Sequence, residues 1–145
     1  LSPLSRRRRR LVSVPRCAAC SRASLARVAS RATSMGCSPL GGLVLSTRSG
    51  DIDAGLVSYL GRTAGFTPEE LETLLNKESG LLGLSGLSGD MRTLLACKSR
   101  EAEFAIELYC YRIRKYLGAH MAVLGGVDVI VFGGGGGEHS TEVRA

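Results

Sequence analysis

A short apolar run near the C-terminus, followed at once by glycines, constrains the fold more than any other feature. Residues 127–132 (VDVIVF) are nearly all apolar, which is typical of a strand buried on both faces. Five glycines follow at residues 133–137, and a helix is predicted to begin at Glu138 or Ser140. This order of strand, glycine loop and helix N-terminus presents backbone N–H groups to one place, as phosphate-binding loops do.

The glycine loop matches no established nucleotide motif. No Gly-Lys-Ser/Thr follows it, so it is not a P-loop, and it lacks the spacers and the acidic residue of the dinucleotide fingerprint. Two interpretations stay open at this point: a loop that contacts a nucleotide, or a flexible turn of low complexity.

The positive charge is confined to one end of the chain. Residues 1–34 contain nine arginines and none of the 13 acidic residues, although the whole chain has a net charge of +6. We predict that residues 1–32 are disordered, and read them as a transit peptide, a nucleic-acid-binding arm or a wrongly spliced end. The remainder offers no basic footprint for nucleic acid and no apolar run of the roughly 18 residues that suggest a membrane span.

The five cysteines do not form a disulfide framework. Cys17 and Cys20 have a zinc or redox spacing, but no second pair stands at a suitable distance. We therefore expect reduced thiols and a cytoplasmic protein, with an organelle as the alternative if residues 1–32 are a transit peptide.

Hydrophobic periodicity and capping residues predict the remaining elements. We expect a strand over 40–47, a helix over 52–62 capped by Asp51, and a helix that begins at a Thr67–Glu70 capping box. The Gly/Ser-rich residues 81–89 should form an ordered turn into a helix that begins near Asp90. The longest helix is predicted over 100–124, with a solvated basic face made of Arg112, Arg114 and Lys115.

Two short stretches carry candidate chemistry besides the glycine loop. Arg48 lies in a turn between a predicted strand and a predicted helix, where its guanidinium can pair with phosphoryl oxygens in bidentate fashion. Asp90 and Arg92 stand two residues apart at a helix N-terminus, where they can bind a nucleotide or form a surface salt bridge.

Several motifs, taken in order, resemble the acetate kinase family. The resemblance covers residues 33–145, and the runs that carry it are 33–36 (TSMG), 38–40 (SPL), 42–43 (GL), 47–53 (TRSGDID), 78–86 (ESGLLGLSG), 90–92 (DMR), 111–116 (YRIRKY) and 131–138 (VFGGGGGE). The runs at 47–53 and 111–116 are the most specific to this family.

The resemblance implies a fold and a reaction. It places residues 33–145 in part of a ribonuclease-H-like α/β domain, helix-rich, of the acetate and sugar kinase, Hsp70 and actin superfamily. It implies reversible, magnesium-dependent transfer of the ATP γ-phosphoryl group to acetate, giving acetyl phosphate. Arg48 corresponds to the family's transition-state stabiliser. The implied nucleotide contacts are Asp90, Met91, Arg92, Gly135, Gly136, Gly137, Glu138 and His139.

Departures from the family pattern limit what we expect of this chain. The catalytic aspartate and other N-terminal residues of the family have no counterpart, and no metal ligand is assigned. His139 replaces an asparagine. We therefore expect a C-terminal-domain fragment, inactive alone, from a family that usually forms homodimers and binds neither nucleic acid nor membrane. A non-catalytic nucleotide-binding remnant and a propionate or butyrate kinase are the alternatives.

Overall fold

The computed structural model describes residues 10–14, 23–26, 29–133 and 140–144. The chain divides into two compact units, residues 1–34 with 115–145, and residues 35–114. In the described part of the chain, no helix is both long enough and apolar enough to cross a membrane.

The first unit contains a four-stranded sheet. Its strands are β1 (Arg10–Val14), β2 (Ala23–Ala26), β3 (Ala29–Thr33) and β4 (Val129–Phe132), arranged in the order β3-β2-β1-β4. β2 pairs antiparallel with both β1 and β3, whereas β4 pairs parallel with β1. Val12, in the central strand β1, is fully buried. Parts of residues 1–32, for which the sequence predicts disorder, thus form strands in the described stretches, where strand pairing satisfies backbone groups.

The register between β1 and β4 is fixed at one end by a residue pair. The Arg10 N–H donates to Asp128 Oδ2 at 2.7 Å, and the Asp128 N–H returns a bond of 3.0 Å to the Arg10 carbonyl. The Arg10 guanidinium also donates to the carbonyl of Gly125, which follows the long helix. An arginine from the end predicted to be disordered thus holds the start of β4.

The strand predicted over 127–132 forms as β4, but its predicted burial on both faces is wrong. Val129, Ile130 and Val131 are 38–40% exposed. β4 lies at the edge of the described sheet. Its successive side chains point to opposite faces and are exposed to a similar extent, so neither face is fully covered. Beyond the glycine loop, Ser140 Oγ accepts from the Val143 N–H at the start of a short helix, as the second of the two predicted starts requires.

The second unit is helical, and its bounds mostly follow the sequence patterns. In the described part of both units, the helices are α1 (Ala54–Thr63), α2 (Pro68–Thr73), α3 (Gly80–Ser85), α4 (Met91–Ala96), α5 (Arg100–Leu124) and α6 (Thr141–Arg144), with a π-helical turn at Leu74–Glu78 between α2 and α3. The Thr67–Glu70 capping box is present at the start of α2. The predicted range of α5 is confirmed. Part of the predicted Gly/Ser turn is instead helix α3.

No strand forms over residues 40–47. The backbone of this stretch bonds to helix ends and to its own loop, so it has no ladder to join. Leu43 and Val44 of this stretch are buried, and the other buried apolar side chains of this unit are Leu71, Leu81, Met91, Leu94, Ala102, Ala105 and Ile113. We call residues 42–51 the arginine loop, because Arg48 lies in it.

Candidate active site

Carbonyl groups of the π-helical turn hold the middle of the arginine loop. The hydroxyl of Thr47 donates to the carbonyl of Asn76 at 2.9 Å, and the Ser49 N–H donates to the carbonyl of Leu75 at 3.0 Å. The last carbonyls of a helix have no partner within it, and the loop supplies their donors. The residues on both sides of Arg48 are thereby fixed to one element.

The N-terminus of α3 holds the same loop from a second direction. The N–H groups of Leu81 and Leu82 donate to the carbonyls of Leu45 and Ser46, at 2.8 and 2.9 Å. These are among the first donors of the helix, which have no partner inside it. The loop therefore donates hydrogen bonds to the C-terminal carbonyls of the π-helical turn, and it accepts hydrogen bonds from the N-terminal N–H groups of α3.

Gly80 permits this close approach. A Cβ at this position would lie 2.4 Å from the Leu45 carbonyl oxygen and 2.9 Å from the Arg48 nitrogen. Its φ of +66° is also a conformation that side-chain-bearing residues rarely adopt. Only glycine fits between α3 and the backbone of Arg48 without displacing one of them.

Asp51 closes the base of the arginine loop. Its carboxylate accepts from the Gly42 N–H at 2.7 Å, and its own N–H donates to the Gly42 carbonyl at 2.9 Å. The predicted capping of α1 by Asp51 is wrong. Asp53 is the cap, accepting from the Gly55 N–H at 2.6 Å, because Asp51 is already engaged across the loop.

A third element contacts the loop through a basic side chain. Arg112 Nη2, on α5, donates to the Asp51 carbonyl at 2.7 Å. The prediction of a solvated basic face is therefore wrong for Arg112, which is partly buried, whereas Arg114 and Lys115 are exposed.

The predicted pair at the start of α4 is present. Asp90 is the N-cap and accepts from the Arg92 N–H at 3.1 Å. Its carboxylate also pairs with the Arg92 guanidinium at 2.8 Å, and this hydrogen bond and charge raise the pKa of Arg92. The Arg92 side chain is 84% exposed, so it is accessible to a ligand. The Met91 side chain is buried, which leaves its backbone as the part that can contact one.

A direct contact joins the two candidate stretches. The hydroxyl of Ser46 donates to the Gly89 carbonyl at 2.8 Å. A Cβ on Gly89 would lie 2.2 Å from Ser46 Oγ, so the approach again requires glycine. The structure thus brings the loop of Arg48 against the residue that precedes Asp90, although the two stretches are some forty residues apart in sequence.

A cleft of about 360 Å³ opens beside the arginine loop. Its polar lining comes from the loop, the π-helical turn and α5: Ser49, Asp51, Glu78, Ser79 and Arg112. Leu84 and Leu108 are among its apolar walls. The predicted site residues Arg48, Asp90 and Arg92 are not in its lining.

Sequence reasoning missed three residues that build this site. Gly80 and Gly89 belong to a run with glycine at every third position, and that spacing was a visible signal of close backbone approach. Arg112 belongs to the run 111–116, but its contact with the loop was not predicted, because a basic residue on a long amphipathic helix is usually solvated. The predicted contacts Gly135, Gly136, Gly137, Glu138 and His139 lie outside the described residues.

Comparison with known proteins identifies the family. A model of the acetokinase family matches residues 12–145. The acetate kinase of Solibacter usitatus is 42% identical over 149 residues, which cover 100% of this chain and 36% of that protein. The family match begins at residue 12, before Thr33, where the resemblance was predicted to begin.

Solved structures agree with the sequence match. The crystal structure of Porphyromonas gingivalis acetate kinase superposes with a TM-score of 0.90 at 37% identity, covering 94% of this chain and 35% of that one. A propionate kinase from Francisella tularensis gives a TM-score of 0.87 at 35% identity, covering 95% and 36%. The chain spans about a third of the length of these relatives. With this α/β, actin-like ATPase fold and a family match over most of its length, the chain belongs to the acetokinase family.

Proposed function

We propose that the chain supplies the arginine-bearing part of an acetate kinase active site. The reaction is reversible transfer of the ATP γ-phosphoryl group to an acetate oxygen, which gives acetyl phosphate and ADP. The observation that carries this proposal is the fixation of Arg48: backbone groups of the π-helical turn and of α3 hold the residues around it. A backbone held in this way limits the movement of the cation that phosphoryl transfer requires.

Arg48 is assigned the role of transition-state stabiliser. Phosphoryl transfer needs alignment and charge neutralisation more than covalent chemistry from the protein. A planar guanidinium can pair with two oxygens of the transferring group at once. Because the backbone on both sides of Arg48 is already bonded, little reorganisation is needed when charge develops in the transition state.

The Asp90–Arg92 pair is assigned to the nucleotide. Asp90 is anchored as the cap of α4, and its salt bridge orients the exposed Arg92 guanidinium. An oriented guanidinium plane can stack on a base, and the carboxylate can accept from a ribose hydroxyl. The contact between Ser46 and Gly89 places this stretch against the arginine loop. Residues 135–139 are proposed as a second nucleotide-binding loop.

We propose that Mg²⁺ binds together with the nucleotide. Among the residues that the structure describes, no group of three His, Cys, Asp or Glu side chains is placed to hold a metal ion. Mg²⁺ commonly binds through substrate phosphates with only one or two carboxylates. The described residues therefore offer no metal cage of their own, and we derive no catalytic step from the ion.

Two alternatives concern the acceptor and the reaction. The likeness to a propionate kinase makes propionate a second candidate acceptor. A non-catalytic, nucleotide-binding role would need only the Asp90–Arg92 stretch and not Arg48.

For the intact protein we also propose a homodimer and a cytoplasmic location, the latter because the described cysteines Cys37, Cys97 and Cys110 are free thiols.

Nucleotide binding is tested on the full 145-residue chain by isothermal titration calorimetry with ATP and ADP. We expect binding that Arg92→Ala weakens about tenfold, since it removes the exposed guanidinium. Arg62→Ala, on exposed α1, removes the same charge away from the site and should leave the affinity unchanged. Absence of binding by the wild-type chain would contradict a nucleotide site in it.

Catalysis is tested in a chimera, in which residues 12–145 replace the matching third of Porphyromonas gingivalis acetate kinase. We expect Arg48→Ala to lower kcat for acetyl phosphate formation about 100- to 1,000-fold, with the KM for ATP nearly unchanged. Turnover within a few-fold of the parent chimera would show that Arg48 is not the transition-state residue. Faster turnover of propionate than of acetate would favour the alternative acceptor.

A further inference from the structure

We infer that Arg112 is a positioning residue for the arginine loop: it acts on phosphoryl transfer through Asp51 and Arg48 without touching substrate. The inference rests on the proposed role of Arg48 and adds to it a residue from a different element. Arg112 is on α5, and it donates through Nη2 to the Asp51 carbonyl at 2.7 Å.

Asp51 is the point at which this contact has the most effect on the loop. Its N–H and its carboxylate both bond to Gly42, which closes the loop into a ring of backbone. Its carbonyl is the remaining backbone group, and Arg112 engages it. All three polar groups of Asp51 therefore have partners, two within the loop and one outside it.

The contact completes a set of three holds on the loop. The π-helical turn fixes Thr47 and Ser49, and α3 fixes Leu45 and Ser46. Neither of these reaches the end of the loop at Asp51, where the chain leaves for α1. Arg112 supplies the hold at that end, so that the loop is bonded before, around and after Arg48.

The side-chain type suits this task. A guanidinium keeps its charge at all physiological pH values, and its rigid fork holds a donor in a fixed direction. A charged donor on a carbonyl also makes a stronger hydrogen bond than a neutral one. The same side chain lines the cleft behind the loop together with Ser49 and Asp51, so removing it would leave space into which the loop can shift.

The structural part of the inference is tested on the full chain by hydrogen exchange. Arg112→Met keeps the length of the side chain and removes its donors, whereas Arg114→Met makes the same change at an exposed position on the same helix. We expect Arg112→Met to raise exchange at the amides of Ser49 to Asp51 at least fivefold, with Arg114→Met unchanged. Equal exchange in the two variants would overturn the inference, whatever the role of Arg48.

The catalytic part is tested in the chimera described above. Misplacement of a reacting group by about 1 Å can cost about 100-fold in rate, so we expect Arg112→Met to lower kcat about tenfold or more. The KM for ATP should stay within twofold, because the nucleotide stretch contacts the loop at Ser46, in the part that α3 holds, whereas Arg112 holds the other end at Asp51. Arg112→Lys, which keeps one charged donor, should recover part of the rate, and Arg114→Met should match the parent.

A double-mutant cycle with Arg48→Ala separates positioning from general destabilisation. If Arg112 acts through Arg48, adding Arg112→Met to Arg48→Ala should lower kcat by less than twofold further. A full additional tenfold loss in that background would overturn the inference, because it would reflect a loss of folded protein or an independent role. If Arg48→Ala itself has no effect, the proposed function fails, and the exchange experiment still decides whether Arg112 holds the loop.

Discussion

At the scale of single residues, the site depends on the absence of a side chain as much as on the presence of one. Arg48 can carry charge to a phosphoryl group only if its backbone stays in place. Gly80 allows that, because α3 approaches the Arg48 backbone so closely that a Cβ would lie 2.9 Å from the Arg48 nitrogen and its carbonyl oxygen. The glycine and the arginine are therefore one functional unit.

Gly80→Ala should destabilise the chain by about 3 kcal/mol, because the new Cβ meets backbone and the positive φ is strained for alanine. The free energy of unfolding from urea denaturation measures this. Gly118→Ala is the matched control: Gly118 lies within α5, an added Cβ there meets nothing within 4 Å, and alanine should stabilise the helix by about 0.5–1 kcal/mol. A Gly80→Ala variant as stable as the wild type would show that the loop and α3 can separate freely.

The same residues show how far the sequence can predict a site. The Gly/Ser-rich run and the Arg48 motif are local patterns, and both were recognised, whereas the close approach at Gly80 was not. The partner of Gly80 lies more than thirty residues away, and that of Arg112 lies 61 residues away. Such pairings depend on how the elements pack, and no local spacing encodes them. Asp51 was predicted to cap α1, but its carboxylate bonds to the Gly42 N–H across the loop, and Asp53 caps the helix instead.

At the scale of elements, long patterns predict well and short ones do not. The 25 residues of α5 have a sustained apolar face and a glycine directly after the last residue, and their predicted bounds are confirmed. Residues 40–47 looked like a strand because they are apolar. They form a loop instead, because helix ends supply hydrogen-bond partners for their backbone and no neighbouring strand does.

The turn between α3 and α4 depends on one buried hydroxyl. Ser85, only 4% exposed, donates to the Leu81 carbonyl and accepts from the N–H groups of Leu87 and Ser88, each at 3.2 Å. This turn leads directly to Gly89 and Asp90. The Ser85 hydroxyl therefore ties the turn to α3, and through the turn it helps to fix the position of the proposed nucleotide contacts.

Ser85→Ala should cost about 1–2 kcal/mol of stability, because two backbone donors lose their acceptor in a buried place. It should also raise hydrogen exchange at the amides of residues 87 and 88. Ser58→Ala, at an exposed position on α1, should change stability by less than about 0.5 kcal/mol. Equal stability of the two variants would mean that the turn is held by other contacts.

At the scale of the whole molecule, the sheet leaves apolar surface uncovered. The sequence of β4 correctly indicated a strand, but apolar character cannot specify what covers it. Among the described strands, β4 has β1 on one side and no strand on the other. An exposed edge of this kind, with apolar side chains at successive positions, is a template for pairing with another chain.

We therefore predict that the full chain self-associates through the edge of β4, and that a charged side chain on this strand suppresses the association. We expect the sedimentation coefficient of the wild-type chain to rise with protein concentration, and Ile130→Lys to reduce that rise, because lysine on an edge strand disfavours pairing. Val123→Lys is the control: Val123 is 59% exposed but lies on α5, which has no free strand edge. Both variants add one positive charge, so a change in net charge alone would affect them equally. If Val123→Lys suppressed association as strongly as Ile130→Lys, or if the wild-type chain stayed monomeric at all concentrations, the edge of β4 would not be the surface through which the chain associates.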